Sequence, residues 1–147
     1  MSVKTFVDTN VLIYAYDVDA ASKHRVAKRV LQELWRQRTG ALNVQVLQEF
    51  YVNVTRRIAS PLSKDSARTV VNSYIIWCID TTPAQVSEAF RIEDEAKIGF
   101  WDALIIAAAA KAGADRILSE NLNPGQTISG VLIENPFAGS SQESSDC

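Results

Sequence analysis

The order of segments along this chain predicts an α/β domain built on a mainly parallel central sheet. Short β-branched or aromatic runs at residues 3–7, 41–44, 77–80, 116–118 and 131–133 alternate with longer stretches of helical periodicity. The segment 100–112 is apolar on nearly every side, the pattern of a helix sandwiched inside a protein. With 147 residues, 47% of them hydrophobic, the chain is long enough for one domain whose core needs no metal or disulfide staple.

The elements follow in order. Residues 3–7 read as a strand that stops at Asp8, and Val11, Leu12, Ile13 and Tyr14 begin a helix. A second helix spans 20–38, with Val26, Val30 and Leu34 at four-residue spacing and Gly40 as its C-terminal stop. After the strand at 41–44, Val46, Phe50, Val54 and Ile58 mark the apolar stripe of a third helix, which Ser60-Pro61 ends. Ser63 is placed to cap a helix reaching Ile76, ahead of the strand at 77–80. Thr82 as cap and Pro83 in the first turn open a helix to Lys97. Gly113 closes the buried helix, and the strands at 116–118 and 131–133 follow. No internal repeat and no Pro/Gly-rich linker divides the chain, so residues 1–138 form one unit. Residues 139–147 lack apolar side chains and are expected to be a disordered tail.

Composition excludes several functions. The two cysteines, Cys78 in an apolar stretch and Cys147 at the end, form neither a disulfide framework nor a zinc motif, and a reducing, cytoplasmic setting fits them. Asp8 interrupts the N-terminal segment before any apolar run of signal-peptide length, and no apolar run approaches the roughly 20 residues a bilayer demands, so no membrane role is expected. A net charge of −2 argues against a protein that coats nucleic acid non-specifically. Lys23, Arg25, Lys28, Arg29, Arg36 and Arg38 nevertheless concentrate on the second helix, as a local basic surface or as a solvated face. The single histidine, His24, lies among those charges, which makes a Ser-His-Asp triad improbable, and neither GxxxxGK[ST] nor GxGxxG occurs.

In parallel sheets, ligands gather beyond the carboxyl ends of the strands, where loops converge. Asp8-Thr9-Asn10 follows the first strand and Ser119-Glu120-Asn121 follows the strand ending at Leu118. Asp102 opens the buried helix, and Glu49 sits on the third. Separately each has an ordinary explanation: Asp8 as a helix cap, Asp102 as a first-turn acid favoured by the helix dipole, Glu49 on a solvated face with Gln45, Gln48, Asn53 and Arg56. An unpartnered carboxylate in so apolar a helix as that of Asp102 would be costly. Together the acids suit a hard cation, since Mg²⁺ and Mn²⁺ prefer carboxylate, carbonyl and water oxygens.

Four motifs in order, Phe6-Val-Asp-Thr-Asn-Val-Leu12, Val46-Leu-Gln-Glu-Phe50, Phe100-Trp-Asp-Ala-Leu104 and Ile117-Leu-Ser-Glu-Asn121, resemble the PIN-domain nucleases, and specifically the VapC-type toxins of bacterial toxin–antitoxin pairs. The resemblance spans residues 3–136. It implies a three-layer α/β/α sandwich and metal-dependent hydrolysis of RNA that leaves 5′-phosphate and 3′-hydroxyl ends. By motif, Asp8, Glu49 and Asp102 correspond to carboxylates holding Mg²⁺ or Mn²⁺, and Asn10 and Ser119 to supporting polar positions. The last acid of the pattern falls on Asn121, an amide, with Glu120 beside it as the carboxylate that could substitute. Basic residues between Lys23 and Arg38 are expected to hold the RNA backbone. The implied partners are RNA, a cognate antitoxin whose basic side chain covers the acids, and a second copy meeting through Tyr51, Tyr74, Ile75 and Trp77. Asn121 also supports an alternative, a catalytically weakened domain that binds RNA or protein without cutting.

Overall fold

The computed structural model describes residues 3–138. The tail expected at 139–147 lies outside the described residues. Six strands form one sheet in the order β3-β2-β1-β4-β6-β5. They are β1 (Thr5–Val7), β2 (Gly40–Asn43), β3 (Cys78–Ile79), β4 (Arg116–Leu118), β5 (Thr127–Ile128) and β6 (Val131–Glu134). All neighbours pair parallel except β5 and β6, which are antiparallel. The helices are α1 (Thr9–Tyr14), α2 (Ser22–Gln37), α3 (Val44–Arg56), α4 (Lys64–Tyr74), α5 (Pro83–Ala96) and α6 (Phe100–Lys111). They flank the sheet as the three-layer α/β/α arrangement expects.

β1, at the centre, is buried at every residue, and its polar Thr5 is enclosed with Phe6 and Val7. α6 packs across β2, β4 and β6 and is covered in turn by α5. That double covering explains why Ala103 to Ala109 are all buried and why α6 shows no polar face. Ser63 caps α4 as expected, accepting from Ser66 N–H at 3.1 Å, and Asn43, within the expected strand 41–44, caps α3 by accepting from Val46 N–H at 3.1 Å. Thr82 occupies the cap position of α5 without a side-chain bond, leaving Pro83 in the first turn to set the start.

Gly40 does not stop α2. The helix ends at Gln37 and is closed by Arg38, which takes the left-handed conformation at φ 60°, and Gly40 is the first residue of β2. Its glycine serves packing: an added Cβ would lie 2.6 Å from the Trp77 ring. Trp77 is itself wedged between Trp35 and Tyr74, at centroid distances of 4.6 and 4.9 Å, so it cannot yield easily. Gly40→Ala is therefore expected to destabilise by about 1–3 kcal/mol, the usual cost of overpacking. A urea midpoint equal to the parent's would contradict this; in a Trp77→Leu background, Gly40→Ala should cost much less than it does in the parent.

The same cluster corrects the expected self-association patch. Tyr74 and Trp77 are core residues, and Tyr51 is half-buried, whereas Ile75 and its neighbour Ile76 are exposed. The short 3₁₀ turn at Ile75–Trp77 separates these roles by swinging Trp77 inward. Among the described residues no helix is long and apolar enough to cross a membrane.

Candidate active site

The sheet register builds the site. β1 pairs with β4 so that Val7 faces Leu118, and the next residue on each strand, Asp8 and Ser119, therefore emerges beside the other. Asp8 N–H donates to Leu118 C=O at 3.0 Å, and Ser119 N–H to Glu134 C=O at 3.0 Å, fixing both backbones. Ser119 Oγ then donates to Asp8 Oδ2 at 2.7 Å, and Asp8 Oδ1 accepts from Thr9 N–H at 2.7 Å. Asp8 thus caps α1, the ordinary role expected of it, and its side chain also lines the crevice described below.

Asn10 ties the two loops. Its Oδ1 accepts from Glu120 N–H at 3.1 Å, and its Nδ2 stands 3.5 Å from Asp8 Oδ2, at the outer limit of a hydrogen bond. The Asn121 N–H donates to Ser119 Oγ at 3.2 Å, a local turn that sets the direction of the Asn121 side chain.

Asp8, Asn10, Glu49, Asp102 and Asn121 line one crevice of about 180 Å³ at the carboxyl ends of β1 and β4. Glu49 reaches it from α3 and Asp102 from the first turn of α6. Asp8 is buried, Asp102 is half-buried, and Glu49 and Asn121 are exposed. Burial pushes the Asp8 carboxyl up to about 6, against the lowering effect of its bonds from Ser119 and Thr9 and with the help of the charges on Asp102 and Glu49. Burial raises Asp102 as well.

Glu120 is not brought into this crevice. Its carboxylate accepts from Tyr14 Oη at 2.7 Å and pairs with Lys23 Nζ at 2.5 Å. Asn121 takes the crevice side while Glu120 turns toward α1 and α2, where Tyr14 and Lys23 hold it. Of the basic residues on α2, Lys23 comes near the loop but is held by Glu120, and none lines the crevice. His24 hydrogen-bonds the Tyr14 carbonyl at 2.9 Å and stays outside the site.

Gln45 and Asn53, expected on a solvated face, both line the crevice. Gln45 Nε2 donates to Glu49 Oε1 at 2.8 Å, and Asn53 Nδ2 donates to Glu49 C=O at 2.8 Å. The signal was their four-residue spacing around Glu49, which puts all three on one helical stripe. Thr9 and Trp101, flanking Asp8 and Asp102, also line the crevice.

Among the described residues, no three Asp, Glu, His or Cys side chains are gathered closely enough to form a metal centre by themselves. The lining nevertheless fits a hard divalent cation. Its polar side chains supply carboxylate, amide and hydroxyl groups, with no thiol or imidazole. Thr9 and Gln45 each carry a buried side-chain oxygen without a hydrogen-bond partner, Oγ1 and Oε1, and Asp8 is an anion held in a place that disfavours its charge.

No curated protein matches the chain. Solved structures do. A toxin–antitoxin complex from Klebsiella pneumoniae aligns with a TM-score of 0.65 at 20% identity, covering 90% of this chain and 98% of that one. VapBC2 from Rickettsia felis, bound to a DNA fragment from its promoter, aligns at 0.61 and 20% identity, covering 89% and 97%. Mycobacterium tuberculosis VapC20, a Sarcin-Ricin loop cleaving toxin, aligns at 0.57 and 19% identity, covering 78% and 87%. These likenesses establish the fold, and the PIN domain family model matches residues 5–123, which contain every residue of the crevice. The chain belongs to the PIN domain family.

Proposed function

We propose that the crevice is the active site of a divalent-metal-dependent endoribonuclease and that the chain is the toxin of a type II, VapBC-like toxin–antitoxin pair. The observation that carries the first part is the meeting of Asp8, Glu49 and Asp102, from β1, α3 and α6, on one crevice lined by oxygen-bearing side chains. The similarity to toxin structures over nearly their whole length supports the second.

Asp8, Asp102 and Glu49 are the residues that would hold Mg²⁺ or Mn²⁺. A divalent ion bound there supplies the positive charge that activates water and neutralises the phosphate during phosphodiester hydrolysis. The chain's own groups prepare the site. Ser119 and the α1 amide fix both oxygens of Asp8, and Gln45 fixes Glu49, so neither carboxylate must reorient when the ion arrives. Asn10 locks the Ser119–Asn121 loop against α1. The cytoplasm is the proposed place of action, and a cognate antitoxin the proposed partner, with a basic side chain over the carboxylates. Self-association is proposed to use the exposed Ile75 and Ile76. The test is incubation of total cellular RNA with the protein, with and without Mg²⁺, followed by mapping of new ends. Cuts with 5′-phosphates that vanish with chelator support the reading; intact RNA at every metal concentration overturns it.

Asn121 favours a second reading, a weakened domain that binds RNA or protein, because an amide stands where the family pattern has an acid and Glu120 is engaged elsewhere. Asn121→Asp separates the two. The added carboxylate should lower the Mg²⁺ concentration for half-maximal cleavage by roughly tenfold, within the range that changes around a metal site produce. It should also lower the metal-free melting temperature, by adding repulsion to the empty crevice. An unchanged metal requirement would place Asn121 outside the ion's reach.

A further inference from the structure

We infer that Trp101, continued by Phe100 and Phe90, is a stacking platform for unpaired nucleobases beside the scissile phosphate. The inference rests on the nuclease reading and adds a recognition surface to it. Trp101 lines the crevice next to Asp102, yet it is 66% exposed, far more than an indole serving the core. Its ring meets Phe100 at 5.3 Å and 71°, and Phe100 meets Phe90 at 5.6 Å and 37°. Phe90, on α5, is itself 53% exposed. Three rings thus run from the acidic crevice out onto α5, and the edge-on contact with Phe100 braces the indole.

Electrostatics says why such a platform is needed. A phosphodiester entering the crevice meets acids and amides and no Lys or Arg in the lining. The nearby cation Lys23 is already paired with Glu120. Among the residues lining the crevice the indole is the largest apolar surface, and it offers the nucleotide at the cut a contact that does not depend on charge. Stacking on an aromatic ring is sequence-tolerant and requires the base to be free of a duplex. A base still paired within a helix presents its edges, not its face, to Trp101.

The test uses a short unstructured RNA and the same strand annealed to its complement, with Ca²⁺ replacing Mg²⁺ during binding measurements and Mg²⁺ restored for cleavage. Trp101→Ala should weaken binding of the single strand by about tenfold, the order that loss of one base–aromatic stack gives, and leave duplex binding nearly unchanged. Trp101→Phe should recover most of the affinity. RNA should quench indole emission in the parent, and that quenching should disappear in Trp101→Phe. Thermal melts confirm folding of each variant, and Phe90→Ala, remote from the acids, should weaken binding in the same direction. If the parent binds and cuts RNA while Trp101→Ala binds the single strand equally well, the platform is overturned and the nuclease reading stands. If Trp101→Ala instead keeps RNA affinity but loses association with itself or another protein, the rings are a protein interface and the inference fails. A parent that neither binds nor cuts RNA overturns the nuclease reading and the platform together.

Discussion

Asp102→Asn is expected to reduce RNA cleavage by more than about 100-fold, beyond the 10- to 100-fold that loss of an outer partner of a metal site costs, without lowering stability. The carboxylate stands in the first turn of α6, whose following residues Ala103, Ile106 and Ala107 are enclosed between the sheet and α5. That packing holds the side chain in place whether it carries an acid or an amide. The amide has the same size, so no cavity forms, and removing a charge whose burial raises its pKa relieves the metal-free protein. Loss of rate with an unchanged or higher melting temperature would identify Asp102 as a group kept for chemistry at some cost in stability. Initial rates across a Mg²⁺ titration, beside thermal melts in chelator, provide the check. Parent-like cleavage by the variant would remove Asp102 from the site.

The second large effect concerns Asp8 and has the opposite sign from most buried substitutions. Its carboxyl is raised from 3.8 to about 6 by burial, so the folded state holds a proton that the unfolded chain releases. Between about pH 4 and 6 the unfolded state binds fewer protons than the native one, and stability must fall as pH rises through that window. Above it the penalty is complete, at most about 3 kcal/mol for a shift of this size. Asp8→Asn should therefore raise the metal-free melting temperature at neutral pH by several degrees. It should also flatten the pH dependence between about 4 and 6. The helix cap survives, because asparagine caps as well as aspartate, and Ser119 Oγ can turn to accept from the new amide. Saturating Mg²⁺ should narrow or invert the difference, since an ion that binds the carboxylate stabilises the parent alone. A variant less stable than the parent at pH 7 in chelator would show that the Asp8 carboxylate is a structural asset.

Much of this was legible in the chain. Strand and helix alternation gave the layered α/β arrangement, and Asp8 and Ser119 could be placed together because both follow short apolar strands that a parallel sheet brings into register. What stayed hidden depended on tertiary neighbours. β5 escaped because it has only two residues and is paired through the Ser129-Gly130 turn, where φ is 52° and 79°. Gly40 fits the pattern of a helix stop, a role glycine often serves, whereas its reason is the Trp77 ring, 37 positions away in sequence. Gln45 and Asn53 looked like solvent-facing polar residues because helical spacing tells which residues share a face but not what that face meets. Glu120 and Asn121 could not be told apart by composition; the hydrogen bonds of Tyr14, Lys23 and Asn10 decide which one faces the acids.

The central claim, that Asp8, Glu49 and Asp102 together form a divalent-cation site, is tested most directly by anomalous diffraction from crystals of the parent protein soaked in Mn²⁺. The expected result is a peak in the crevice within coordination distance of carboxylate oxygens of both Asp8 and Asp102, and its disappearance in crystals of Asp102→Asn. Full occupancy of Mn²⁺ at other surface acids with the crevice empty, or an unchanged peak in the variant, would contradict it.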